Sequence, residues 1–294
     1  MNAKFVFPVI HSHILTRAVV FLLAVIGAHA NSLVQFRTVL GDVDVELFDQ
    51  EKPATVANFK RYVDAGAYRD SFFHRAIHNF VIQGGGFRID HRSTTNAQLA
   101  AINAFESVTN EIHVGPFRSN LPGTIAMAKT ADPNSATSEF FFNLADNSVG
   151  LDSTNNSGGF TVFGQAVGNT NVLANLNSFV GFRTPLTNVI VNAKGVFSML
   201  PVLQFDTNSG ALSLDTLVYV DVSFLAVQVV ELSGHRHEIS WESSHSGTNH
   251  VEFTTALPPV WQSLTNLVTP TALRTKVVDE VSDLKRFYRV RISY

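Results

Sequence analysis

From Leu33 onward, apolar residues recur at every second position. Val34, Phe36, Thr38 and Leu40 alternate with their neighbours, and Val43, Val45 and Leu47 do the same after Gly41-Asp42. Two alternating runs around a Gly-Asp pair predict an antiparallel hairpin with one buried face. The period then changes. Pro53 suits a first helical position, Val56, Phe59 and Val63 recur at helical spacing, and Gly66 follows as a stop, which predicts a helix over Pro53–Ala65. Arg88 to Leu121 loses periodicity and reads as long surface connections. Asp152–Gly159, rich in Ser, Thr, Asn and Gly, reads as a loop. Leu217–Phe224 alternates again as a closing strand. The class is mainly β with a few helices.

Beyond Leu232 the character shifts. HEISWES, HVEFTTAL, WQSLTNLV, LRTKVVDE and RFYRVRIS are strand-length runs separated by turn residues. They predict a separate, small, sandwich-like β unit over Gln228–Tyr294. Trp241, Trp261, Phe287 and Tyr288 are its expected core, and the alternating Lys285–Arg291 segment its solvated face. His235 and His237 are two apart on a strand, a spacing that could ligate a metal. No carboxylate stands at a defined spacing from them, so no metal is expected.

The first thirty residues read differently again. Lys4 and Arg17 precede the apolar run Ala18–Ala28, and Ala28-His29-Ala30 has the small-x-small form of a signal-peptidase site. The run is shorter than the ~20 residues of a spanning helix. The expectation is a signal peptide over 1–30, a mature chain from Asn31, and an exported protein, periplasmic or secreted, with no stable membrane association after cleavage. The resulting division is 1–30, 31–227 and 228–294.

Composition narrows the function classes. A 45% hydrophobic, 15% charged chain of 294 residues can bury a core. Net charge is −3, and without Lys4 and Arg17 it is −5. A mildly acidic chain with no basic cluster is not expected to bind nucleic acid. The absence of cysteine excludes disulfides, thiolate nucleophiles and Cys-ligated metals. Phe, at 24 copies, is the outlier, so ring positions matter more than ring number.

The densest constellation is FFHRAIHNFVIQGGG, Phe72–Gly86. On a strand, Phe73 and Arg75 would share one side while His74 turns to the other. The glycine triplet is followed by Phe87-Arg88-Ile89-Asp90 rather than a Lys-Ser/Thr and a helix start, which argues against phosphate binding. Close backbone approach or a bulge is the simpler reading of these glycines. FHRAIHNFVIQGGG resembles the cyclophilin signature. GTIAMAKTADPNSATSEFFFNLADN (Gly123–Asn147) and GGFTVFGQAVG (Gly158–Gly168) follow in that family's order. The resemblance spans roughly Val34–Phe224 and is nearer to bacterial exported members. It implies a closed eight-stranded antiparallel β-barrel capped by two helices, Pro53–Ala65 and a shorter one near Asn171–Asn177. It also implies peptidyl-prolyl cis/trans isomerase activity on proline-containing polypeptides, without a cofactor.

The residue types suit that reaction. Rotation about an X-Pro bond meets a barrier of ~18–20 kcal/mol because it breaks amide resonance, and no covalent chemistry is needed to lower it. A donor beside the prolyl nitrogen favours the twisted amide over the planar one, which is differential binding. Arg75, always charged and with a rigid donor fork, is the residue the resemblance puts there. By the same matching, Phe80, Val81, Phe141, Leu151 and Phe160 receive the proline ring. Gln83 holds Arg75 or the substrate backbone, and the main chain at Lys129, with Ala128 beside it, pairs with the peptide. Phe140, Phe142 and Phe163 are assigned to the core, and His74 to a structural role, since no general base is required. Three departures stand out. Glu139 occupies a position where Gln is common and could either pair with Arg75 or orient it. Gly150 replaces a Trp frequent in eukaryotic members, so cyclosporin binding does not follow from the resemblance. Phe160 replaces a His.

Overall fold

A computed structural model describes residues 31–92, 97–168, 170–181, 187–189, 197, 199–203, 213–225, 227–242, 248–256, 259–268, 274–280 and 286–293. The expected signal peptide lies outside these residues.

Chain order opens with β1 (Leu33–Thr38), β2 (Gly41–Leu47) and helix α1 (Pro53–Asp64). Five short strands follow: β3 (Ser71–Phe72), β4 (Arg75–Ala76), β5 (Val81–Gly84), β6 (Phe87–Asp90) and β7 (Gln98–Ala101). Next come β8 (Thr124–Met127), β9 (Phe140–Asn143), the single turn α2 (Ser148–Leu151), β10 (Val162–Gly168) and α3 (Asn171–Gly181). β11 (Thr187–Val189) and β12 (Leu200–Val202) form a two-stranded sheet, and β13 (Tyr219–Phe224) completes the first unit. The two expected helices are present, α3 running further than Asn177, and α2 is an addition.

The hairpin exists, but Gly41-Asp42 is not its turn. Thr38 pairs with Gly41 and Arg37 with Asp42, so Val39-Leu40 make the turn. The Thr38 hydroxyl takes over the work expected of Gly-Asp: it donates to the Gly41 carbonyl (2.7 Å) and accepts from Leu40 N–H (3.0 Å).

Eleven strands form one sheet in the order β4-β5-β9-β8-β10-β2-β1-β13-β3-β6-β7. The sheet is an open, curled half-barrel, not the closed eight-stranded barrel expected. β3 and β4, which stand far apart in that order, are joined through Phe73-His74, and neither residue belongs to a strand. Phe73 N–H donates to Val218 O at 3.0 Å, whereas His74 N–H donates to Gln83 O at 3.0 Å. The ladder is broken between β3 and β4, and with it the pleat. Phe73 and Ala76 consequently point into the interior, while Arg75 points out. Phe73 and Arg75 do not share a side as alternation alone had implied.

The interior is closed by α1. Phe36, Phe59, Tyr68, Phe140 and Phe163 pack there with Val34, Val43, Val45 and Ile125, and ring pairs such as Phe36–Phe142 meet edge to face at 4.9 Å. The stretch after Arg88 is less of a surface loop than its aperiodicity implied. It holds β6 and β7, and its later part is pinned by charge. Glu111 accepts from Ala54 N–H (3.1 Å) and Thr55 N–H (2.7 Å), capping α1. Lys52, which is 1% exposed, donates to the carbonyls of Glu111 (3.0 Å) and Val114. A lysine is buried here because three carbonyls of an aperiodic loop need a donor.

The C-terminal unit comprises β14 (Val227–Leu232), β15 (Arg236–Glu242), β16 (Thr248–Thr254), β17 (Gln262–Val268), β18 (Arg274–Glu280) and β19 (Phe287–Ser293). Two three-stranded antiparallel sheets, β14-β15-β18 and β17-β16-β19, bury Ile239, Trp241 and Val251. Tyr288 packs on this core, but Phe287 is exposed and Trp261 lies under the Arg289 guanidinium at 4.2 Å. Nor is the basic terminal strand merely a solvated face. Arg286 makes a buried ion pair with Asp279 at 2.6 Å, and Arg289 pairs with Glu252 at 2.6 Å. His237 Nδ1 lies 2.8 Å from the Tyr288 hydroxyl, and no three metal-ligating side chains gather among the described residues.

Candidate active site

Register alone builds the site. Arg75 pairs with Gln83, Gln83 with Phe141, Phe141 with Ala126, and Ala126 with Val162. These five residues form a row across β4, β5, β9, β8 and β10. Side chains directly opposite on adjacent strands share a face, and residues two apart along a strand extend it. The neighbouring row, Ala76, Ile82, Phe142 and Ile125, faces the interior. One sheet therefore carries a core on one side and a second apolar cluster on the other.

That second cluster contains Phe48, Val81, Ala126, Phe141, Leu151 and Val162, with Phe80, Ala128 and Phe160 partly buried at its edge. The five residues expected to receive the proline ring, Phe80, Val81, Phe141, Leu151 and Phe160, come together in it, and Ala128, expected beside the peptide-pairing main chain, joins them. Phe141 and Phe160 meet edge to face at 5.8 Å. Phe140, Phe142 and Phe163 lie in the interior instead. Phe48, Ala126 and Val162 were not expected. Phe48 follows β2 outside every motif, and only the finished sheet brings it here.

Arg75 sits at one end of the row, its guanidinium carbon 5.9 Å from the centre of the Phe80 ring. Burial pushes its pKa below the usual value, although an arginine stays charged. Nη1 donates to Gln83 Oε1 over 3.5 Å, a long hydrogen bond. Gln83 Nε2 donates to Glu139 Oε2 at 2.6 Å, and His74 Nε2 lies 3.4 Å from the same oxygen. Glu139 thus engages Gln83 and His74, and its carboxylate makes no ion pair with Arg75 among the described residues. Burial tends to raise the Glu139 pKa, but the His74 hydrogen bond and charge and the Gln83 amide outweigh it and leave it below the ordinary value.

The glycine triplet makes room for this packing. Gly85 has φ +79°, and a Cβ there would meet Ser138 O at 2.4 Å. A Cβ on Gly86 would lie 3.1 Å from both Glu139 Oε1 and His74 Cε1. The far wall is held by Lys129. Its ammonium lies 4.2 Å from the centre of the Phe160 ring and donates to the Ser157 carbonyl. Burial lowers its pKa. On the α2 side Gly150 faces open space and leaves the rim low.

Three asparagines also support the site, and reading residue types did not single them out. Asn147 Nδ2 donates to Phe80 O and Asn143 Oδ1, both at 2.8 Å. Asn143 Nδ2 donates to Asn120 Oδ1 at 3.0 Å, and Asn120 Nδ2 to Phe160 O at 3.1 Å. This buried network fixes the main chain beneath both flanking rings. Asn143 and Asn147 stand in the NLADN motif, but nothing in their spacing shows a link to Asn120.

A curled β-sheet carrying an outward apolar cluster with Arg75 at its edge, in this order of motifs, defines a cyclophilin-type protein. The sequence model of the cyclophilin type peptidyl-prolyl cis-trans isomerase family matches residues 33–196. The chain belongs to that family of enzymes. The peptidyl-prolyl cis-trans isomerase of Acinetobacter baylyi is 41% identical over 144 residues, 48% of this chain and 71% of that protein. Peptidyl-prolyl cis-trans isomerase A of Dickeya dadantii is 40% identical, over 48% of this chain and 68% of its own length. Peptidyl-prolyl cis-trans isomerase B of Escherichia coli is 37% identical, over 48% of this chain and 81% of its own. The family match ends before β13, which pairs with both β1 and β3, and before the C-terminal unit.

Proposed function

We propose that this protein accelerates cis/trans rotation about X-Pro bonds in exported polypeptides, with Arg75 donating to the prolyl nitrogen while the ring rests on Phe80, Phe141 and Phe160. The observation that carries the reading is the guanidinium's position at the edge of an outward apolar cluster, beside Phe80 and backed by Gln83. In the planar amide the nitrogen lone pair is delocalised and is a poor acceptor. Once the bond twists the lone pair localises, so the Arg75 hydrogen bond strengthens as the barrier is climbed. Ala128 follows the end of β8 and donates its N–H to Glu139 O at 2.9 Å, and the main chain of Lys129 beside it suits pairing with an extended peptide. Export remains a reading of the first thirty residues and is testable by sequencing the N-terminus of the mature protein, expected at Asn31.

The test of the chemistry is exchange spectroscopy or a protease-coupled assay on an Ala-Pro-Phe peptide. A charge-assisted hydrogen bond is worth ~1.5–3 kcal/mol, so Arg75→Ala is expected to lower kcat/KM by about ten- to a hundredfold. Equal rates for the two proteins would refute the assignment. A binding module that holds proline segments without turning them over would require the guanidinium to be occupied by Glu139. That carboxylate instead lies on Gln83 and His74, which favours turnover.

A further inference from the structure

Behind Arg75 stands a chain of contacts that the reaction itself does not require. His74, 3% exposed, places Nε2 3.4 Å from Glu139 Oε2, the same oxygen accepts from Gln83 Nε2 at 2.6 Å, and Gln83 Oε1 faces Arg75 Nη1. Gly86 leaves the space in which Glu139 and His74 meet. We propose that Glu139 is a positioning residue that locks the side-chain amide of Gln83 with its oxygen toward Arg75. The inference rests on the role proposed above for Arg75 and goes beyond it.

The direction of the Gln83 amide decides what Arg75 meets. A glutamine amide has two nearly isosteric ends, one an acceptor and one a donor. Turned one way, Gln83 offers Arg75 an oxygen and steadies the guanidinium. Turned the other way, it presents an NH2 group to a cation, which repels the guanidinium and leaves it mobile. An ionised carboxylate has no donor, so only the NH2 end of Gln83 can face it. Glu139 therefore admits one orientation. A glutamine at position 139 would admit both, since either amide end can find a partner in the other. The Nε2 of His74, 3.4 Å from Glu139 Oε2, keeps the carboxylate turned toward Gln83. The packing of His74 against Phe87, with ring centres 5.3 Å apart, holds the imidazole in place.

The test uses the full chain with kcat and KM measured separately. Glu139→Gln keeps size and shape. Its expected effect is a three- to tenfold fall in kcat, about the weight of one net hydrogen bond, with KM nearly unchanged. The Gln83 side-chain NH2 resonance, which the short bond to the carboxylate shifts, should move toward the ordinary amide range. In a Gln83→Ala background, Glu139→Gln should have no further effect on kcat, because the lock then has nothing to hold. An unchanged kcat in the single variant, or an equal fall in the Gln83→Ala background, would overturn the proposal. Arg75→Ala separates the two levels. If it abolishes activity while Glu139→Gln matches wild type, the lock alone is wrong; if Arg75→Ala matches wild type, the role of Arg75 fails and the lock with it.

Discussion

Phe140, Phe141 and Phe142 are consecutive, identical and all nearly inaccessible, yet they belong to different structures. Phe140 and Phe142 point into a space closed by α1, where ring meets ring. Phe141 points into a cluster that is never closed, flanked by half-buried Phe80 and Phe160 and bounded by the cations Arg75 and Lys129. What separates a core from a binding site here is the completion of its wall. The interior is sealed by an amphipathic helix. The outer cluster ends in charged groups and a low rim at Gly150. Hydrophobic surface left this way costs stability unless something apolar covers it, which is the condition a proline ring meets.

The sharpest way to break this comparison is to remove one ring from each side. Phe142→Ala empties a closed interior and is expected to cost about 3–5 kcal/mol in denaturant unfolding. Phe141→Ala opens space that water can reach and neighbours can collapse into, so a smaller loss of about 1–2 kcal/mol is expected. Activity should reverse the order: kcat/KM of Phe141→Ala falls sharply, while Phe142→Ala, assayed where it is folded, keeps most of its rate. Equal stability losses with equal activities would mean that the two faces are one core.

The next largest effect concerns the charged edge. Arg75→Lys keeps a positive charge but replaces a planar fork with a mobile point charge. If the outer cluster needs a fixed donor, and not merely a cation, this variant should lose about tenfold or more in kcat/KM, near the loss in Arg75→Ala. A lysine enzyme close to wild type would reduce the role of Arg75 to electrostatics at a distance.

How much of this was legible beforehand depends on how local each feature is. The split of Phe141 from its neighbours follows from period two and needs no structure. So do α1, its Gly66 stop and most of the C-terminal strands. What escaped was set by contacts between distant residues. The pleat resets at Phe73-His74, between β3 and β4, so that Phe73 and Ala76 both turn inward, and no alternation rule anticipates that. Phe48 joins the outer cluster from outside every motif. Arg286 reads as a surface charge until Asp279, seven residues earlier, is found buried against it. The competition for Glu139 was also invisible, since one position can reach Arg75, Gln83 or His74 and only geometry selects among them.

The boundary between the two clusters offers an intermediate perturbation. Phe48 belongs to the outer cluster, Val56 to the interior, and Lys52 between them holds the loop at Glu111–Val114 against the start of α1. Lys52→Met fits the apolar stem but leaves those carbonyls without a donor. Each unsatisfied buried group costs ~1–3 kcal/mol, and water can recover part of it. The expected outcome is a loss of about 1–2 kcal/mol, seen as a lowered midpoint in urea with an unchanged slope. A stability equal to wild type would show that the loop is held by its apolar residues, such as Ile112, and that the lysine is dispensable.

The smallest expected effect is also the most specific, because it depends on pH. Glu139 is ionised in the folded site and its pKa lies below the ordinary value of 4.5, since the His74 and Gln83 contacts outweigh burial. A carboxyl group with a depressed folded pKa binds protons more readily when the chain is unfolded. Its contribution to stability is therefore complete above about pH 4.5 and is lost as pH falls through the lower folded value. Glu139→Gln cannot titrate. The gap in melting temperature between wild type and this variant should be constant at neutral pH and should shrink as the solution is taken below that window. The His74 ring faces the carboxylate at 3.4 Å, so the same series in a His74→Gln background should show a weaker narrowing. A gap that stays constant into acid would mean that Glu139 is solvated like any surface carboxylate, and that the outer face is supported by its rings alone.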